Sequence, residues 1–563
     1  MRNTILLSVI ATAAIGLTSC GKLRPLTADN VVVTPTPLEA VGAEVPATIS
    51  TTFPQKYLKK NIVMRVTPVL KYEGGEIASA ATTFQGEKVQ GNATTVPYAA
   101  GGNYTLRATF PYSDALQQSD LYLRFDARKG SKHYDLPDVK VGYGVVSTAG
   151  LLAATIKSAT PATATDAYQR IIRQKQEAQI KYLVNQANVR ASELNTTSIR
   201  DFAKILKEIS AQQQMQLRNI EVSAYASPEG RYDFNERLAE QRQNTSSAYV
   251  RDQLRDNNLQ TNVDTHYTAE DWEGFQQLVA ESNIQDKEVI LRVLSMYKDP
   301  VEREQQIRNM SVVYEELADA VLPELRRARL IANYEVIGRS DTEIVEQYNT
   351  DASKLGIEEL LYGAALQRTD ELQRQWYERA TQLYPTDARA YNNLAKLAMR
   401  AGDTATAESY LYKARQLDPN SPEAATNLAL IALANGKLDD AEAALAKGAK
   451  ANTYGEVLGN LNLAKGNYSA AASNLADAAT NSAALAQILN KDYAAAAATL
   501  AGVDAPDAYT AYLSAVLAAR QGDADGVVSH LQSAIQQDAT LAERARRDLE
   551  FARYVTLIAE LLQ

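Results

Sequence analysis

Few residues in this chain have the type and spacing to do chemistry, and those that do read as binding groups. The histidines, His133, His266 and His530, lie far apart. Lone histidines without cysteine or carboxylate at ligand spacing read as packing or surface residues, so no metal is expected. A hydrolase would need a carboxylate pair, a Ser/His constellation or a metal cluster. None is legible, so no catalytic residue and no cofactor is assigned. What remains is the turn Ser227-Pro228-Glu229-Gly230 with Asn235 and Arg242 behind it, and the pair Arg326-Arg327. A guanidinium forks onto a carboxylate through paired N–H donors. Arg242, Arg326 and Arg327 therefore either line a basic pocket beside the turn or pair with Glu240 and Glu324 at the surface. An isolated surface pair contributes only about 0–1 kcal/mol.

The elements that must hold these residues follow from periodicity. Ile220, Val222 and Ala224 alternate with polar neighbours, as in a half-buried strand, and Pro228 and Gly230 then break the chain. Phe234 and Leu238 begin a helical stripe that Tyr249 and Val250 continue. Upstream, residues 180–189 are expected as a strand. Ser198 to Asp201 has capping-box spacing ahead of the stripe Phe202, Ile205, Leu206 and Ile209. Residues 325–334 complete the set as a last strand. The stretch from about 263 to 323, far longer than a simple connection, is helical in pattern and reads as an insertion.

This arrangement resembles an OmpA-like peptidoglycan-binding domain, in the SPEG-turn form found in envelope lipoproteins of the Bacteroides group. Gly230, Asn235, Leu238 and Arg242 occupy the places of that family's binding loop and helix. The resemblance implies an α/β sandwich over 171–340 and a cell-wall peptide held by Ser227, Asn235, Arg242, Arg326 and Arg327. One departure is plain: Ser227 stands where the family usually carries the Asp that grips an ammonium group.

The N-terminus reads as a targeting segment, residues 1–19. Arg2 precedes the apolar run Ile5–Leu17, and Leu17-Thr18-Ser19-Cys20 is similar to a lipobox. Cys20 is the only cysteine, which excludes a disulfide framework and makes it the expected lipidation site. Acyl chains there would anchor the protein to the outer membrane, facing the periplasm, without a spanning helix. Residues 20–48, with Pro and Thr, read as an extended tether. Residues 49–148 carry short alternating runs with turn signals, as in a β-sandwich. The Ala/Thr-rich stretch 149–170 reads as a linker.

From 341 to 563 the composition shifts to Ala, Leu and Asp, and a repeat of about 34 residues appears. Counted from Ala388, Leu394, Ala395, Gly402, Ala407, Ala414 and Pro419 fit the tetratricopeptide pattern. Leu428, Ala429, Gly436, Ala441 and Leu445 repeat it, and looser copies follow at Gly466, Tyr493 and Gly522. Such arrays form a groove that takes a protein segment. The net charge of -9 argues against a nucleic-acid partner. The expected architecture is thus multidomain α+β: a β-sandwich, an OmpA-like domain with a helical insertion, and an all-α solenoid. The expected role is a non-enzymatic scaffold between outer membrane, peptidoglycan and a protein partner. The alternative is an accessory docking subunit that does not bind peptidoglycan.

Overall fold

The computed structural model describes residues 23–228, 231–284, 287–309, 319–503 and 505–562. The targeting segment, Cys20, Glu229 and Gly230 lie outside the described residues. The chain forms two compact units. One joins the residues up to Thr165 with Arg368–Gln563, and the other is Asp166–Gln367.

In the first unit, strands Val31–Thr34, Glu44–Phe53 and Gly102–Pro111 form one sheet. A second is built on Val63–Tyr72 and Asp120–Lys129. Alternation sets the inner faces: Val45, Ala47, Ile49 and Phe53 from one sheet, and Met64, Val66, Leu121, Leu123 and Phe125 from the other, are all buried. The expected tether is largely sheet. The β-branched run Val31-Val32-Val33 pairs antiparallel with Ile49–Thr51, and Leu26 and Leu38 are buried.

The same unit contains the helical array. Its pairs are Ala388–Arg400 with Thr404–Leu417, Pro422–Ala434 with Leu438–Leu445, and Tyr454–Ala464 with Tyr468–Asn474. Asn481–Leu489 with Tyr493–Ala501 and Ala508–Gln521 with Ala524–Gln537 follow. Alanines Ala395, Ala398, Ala407 and Ala414 are fully buried where the first pair crosses. Each turn within a pair needs a left-handed residue. Gly402, Gly436, Gly466 and Gly522 supply it, and Lys491 takes the same conformation with φ of 65°. The sheets and the later helices share one continuous core, from Leu26 and Leu38 through Leu485, Val516 and Phe551. Within it the Gly42 N–H donates to the Tyr468 hydroxyl at 3.1 Å. Arg520 pairs with Glu550 at 2.6 Å and Glu39 at 3.5 Å. The array therefore builds its core with the N-terminal sheets, because the late helix pairs leave an apolar face that an isolated stack would expose. Residues 341–367 belong to the other unit, so the array begins later than composition suggested.

The second unit is a four-stranded sheet in the order Ile171–Lys181, Arg327–Ile337, Met215–Tyr225, Asn262–Thr268. Helices Thr197–Ala211 and Tyr232–Asp256 bury Phe202, Leu206, Val250 and Leu254 against Ile180, Val222, Ala224 and Leu330. The first strand lies earlier than the expected 180–189, because Ala178, Ile180 and Tyr182 are the alternating buried set. Thr196, not Ser198, precedes the first long helix, and it makes no side-chain cap. Phe234 points outward. The buried stripe of its helix runs instead through Asn235, Leu238, Ala239, Arg242, Ser246 and Val250. The expected insertion begins after strand Asn262–Thr268. Helices Trp272–Glu281 and Lys287–Met296 close a small core of Phe275, Val279, Ile290, Leu294 and Leu322.

Candidate binding sites

Ser227 and Asn235 sit together, both buried, where strand Met215–Tyr225 hands over to helix Tyr232–Asp256. The Asn235 side-chain amide donates to the Ser227 carbonyl at 3.1 Å, which ties the start of the helix to the end of the strand. Arg242, two turns along the helix, is 1% exposed. Its Nε donates to the Gln186 carbonyl at 3.0 Å, Nη1 to Tyr225 at 2.8 Å and Nη2 to Leu183 at 3.2 Å. The guanidinium also lies 5.1 Å from the Tyr182 ring centroid. Leu183 and Gln186 lie in the irregular segment after strand Ile171–Lys181, where main-chain carbonyls have no sheet partner and take other donors. Arg242 performs that pairing, so its fork faces main chain.

Arg327 is also engaged. Its Nη2 meets the Asp271 carboxylate at 3.0 Å, its Nη1 donates to the Glu324 carbonyl at 2.8 Å, and it lies over the Tyr225 ring. Asp271 caps helix Trp272–Glu281 by accepting from the Gly274 N–H at 2.9 Å. Burial pushes its carboxyl above the ordinary range, outweighing the Gly274 N–H and the Arg327 guanidinium. Asp271, a residue the sequence did not single out, thus links the insertion to the last strand through Arg327 and to the end of strand Met215–Tyr225 through the Ala226 carbonyl. Arg326 lies partly exposed before the last strand, and its carbonyl accepts from the Tyr182 N–H at 2.7 Å. Neither Glu240 nor Glu324 supplies the carboxylate that Arg327 meets.

The array holds a second site, unforeseen in the sequence. The stretch 149–165, expected as a linker, forms helical turns to Ser158 and then runs extended across the first helices of successive pairs. Asn427 accepts from the Ala162 N–H at 2.6 Å and donates to the Ala162 carbonyl at 2.9 Å. Asn393, at the equivalent place one repeat earlier, does the same for Ala164, with both bonds at 2.9 Å. Asn392 adds a donor to the Ala162 carbonyl at 3.2 Å. Glu456 accepts from the Thr160 N–H at 3.0 Å, and Ser482 meets Thr155 at 3.2 Å. The segment therefore descends the stack with about two residues per repeat, the period at which an extended chain returns to one face. Burial holds the Glu456 carboxyl above its ordinary value, although the Thr160 N–H opposes the shift. The available signal was polarity at a core position: Asn392-Asn393 and Asn427 interrupt apolar helix faces, and buried amides demand partners.

The opposite side of the array is open. Helices Thr404–Leu417, Pro422–Ala434 and Leu438–Leu445 border a groove of about 1060 Å3. Tyr412 stands 68% exposed at its edge. Leu428 and Ala432 form an apolar floor, and Glu408, Arg415, Lys437 and Asp440 supply charges of both signs.

Comparison with known proteins places the array. Tetratricopeptide-repeat family models match residues 376–409 and 398–453. These C-terminal helices are tetratricopeptide repeats, a protein-interaction scaffold. Among solved structures, a tetratricopeptide repeat protein from Parabacteroides merdae is 14% identical, covering 44% of this chain and 98% of that one, with a TM-score of 0.28. Pseudomonas aeruginosa pilF is 18% identical over 39% of this chain and 100% of its own, with a TM-score of 0.26. Yeast Tom70 is 12% identical over 66% and 84%, with a TM-score of 0.24. No curated protein sequence matches.

Proposed function

We propose that this protein is a non-enzymatic scaffold, lipidated at Cys20, held to a bacterial outer membrane and facing the periplasm. Its repeat array docks a protein partner. The observation that carries the docking role is the open groove at Tyr412, on repeats whose other face is already filled by the chain itself. An apolar floor with a mixed-charge rim suits a partner that buries an aromatic or aliphatic anchor. A photo-crosslinking residue placed at Tyr412 in the native host tests this. Adducts with one envelope protein, suppressed by Leu428→Glu, are expected. Absence of adducts from the folded protein at every groove position would overturn the docking role.

For the Asp166–Gln367 unit the OmpA-like resemblance implies a peptidoglycan contact. Two observations favour the alternative, an accessory docking module without a wall ligand. Arg242 is committed to three carbonyls, and Ser227 supplies no carboxylate. Arg242→Ala is a poor probe, since it removes a buried structural donor. Arg326→Ala, at a partly exposed residue, is the better one. No retention of the full chain on diaminopimelate-type peptidoglycan is expected. Saturable retention lost in Arg326→Ala would restore the wall-anchoring role.

A further inference from the structure

We propose that the face formed by the first helices of the array is a binding site for an extended, uncharged chain of small residues. Its resident occupant is the protein's own Ala159–Thr165, which closes the site to other segments. Three observations lead there. The recognition is of main chain: Asn393 and Asn427 each pair both the N–H and the carbonyl of one residue. Such bonds read an extended backbone without regard to side-chain identity. Size is selected instead, because Ala162 and Ala164, which face the helices, are 0% and 4% exposed. A longer side chain at either place has no room. Thr163 and Thr165, between and beyond them, are partly and fully exposed, so the site leaves these two unread, whereas Pro161 is buried with Ala162.

The occupant is tied to the protein at both ends. A tethered segment competes at an effective concentration of about millimolar. Against a free peptide binding at about 10 μM, this makes the apparent affinity of the intact protein about hundredfold weaker. The site is therefore built and occupied, and a partner reaches it only by displacing the segment.

The test uses a labelled peptide, SATPATATDA, copied from residues 158–167, and the full chain. In Ala162→Glu with Ala164→Glu the internal segment no longer fits, and the peptide is expected to bind about hundredfold more tightly than to the intact protein. Adding Asn427→Ala is expected to remove that gain. Equal affinity for the intact and opened proteins would overturn the proposal, as would no binding to an opened protein that remains folded. Should the double Glu variant fail to fold, elastase, which cuts beside small residues, decides on the intact chain. Cleavage within 159–165 is expected to be at least about tenfold faster in Asn393→Ala with Asn427→Ala, since opening exposes the segment. An unchanged rate would overturn the proposal. Failure here leaves the Tyr412 groove untouched, because Asn393 and Asn427 do not line it, although helix Pro422–Ala434 contributes residues to both surfaces.

Discussion

Arg242 in the Asp166–Gln367 unit and the Asn393/Asn427 pair in the repeats solve the same problem in different places. Each is a buried polar side chain that satisfies the main chain of an irregular segment. Arg242 donates to three carbonyls within its own unit. The asparagines present an acceptor and a donor together and so pair complete residues, Ala162 and Ala164. The difference teaches what each can hold. A guanidinium has donors alone and can only gather acceptors, here three carbonyls. An amide matches the edge of an extended peptide, and so makes a site that another extended peptide could occupy.

Breaking the comparison at its strongest point means Arg242→Ala. Three charge-assisted hydrogen bonds from a buried guanidinium to main-chain carbonyls are lost, which costs about 3–5 kcal/mol. Urea unfolding should show the loss in the transition of that unit. A loss below about 1 kcal/mol would mean that water replaces the guanidinium freely. Asn427→Leu is next. It keeps the volume and strands the Ala162 N–H, while the carbonyl retains Asn392 alone, at about 2 kcal/mol, measured in the same way. Restoring Asn427→Gln should not recover this, because the longer amide is displaced from the Ala162 edge.

Smaller effects sharpen the repeat side. Lys491 holds the left-handed turn position that glycine fills in the neighbouring pairs. Lys491→Gly should raise stability by about 0.5–1 kcal/mol, and Gly436→Ala should lower it by a similar amount. Opposite signs in thermal melts check the assignment. The smallest effect concerns Glu456. Its folded-state carboxyl lies above the ordinary value because burial disfavours the charge. The folded state therefore holds the proton more tightly, and stability falls as pH rises from about 4.3, the usual Glu value, through the raised one. Glu456→Gln should flatten that slope in melting temperatures taken across the range. A slope unchanged by the substitution would assign it to other groups.

How much of this was legible depends on where each residue finds its partner. The turn glycines Gly402 and Gly436 and the alanines Ala407 and Ala414 act within one helix pair, and their spacing alone declares the repeat. Strand Met215–Tyr225 was legible for the same reason, since alternation is local. The run Val31–Thr34 read as tether because Pro35 and Pro37 follow it, yet its pairing with Glu44–Phe53 makes it sheet. Residues 159–165 read as linker because they carry no periodicity of their own. Their order is borrowed from side chains 229 and 265 residues away. Arg242 was found by position, but its direction was not legible, because two of the carbonyls it serves, those of Leu183 and Gln186, lie in a loop whose path only the folded unit sets.

The sequence by itself determined the helix pairs, their turns and the alternating strands, since each follows from short-range pattern and residue type. The tertiary structure alone decided which polar groups turn inward to the chain itself. Buried donors and acceptors take whichever partners folding brings within reach. In this protein those partners are the backbone of Leu183 and Gln186 for Arg242, and of Ala162 and Ala164 for the asparagines.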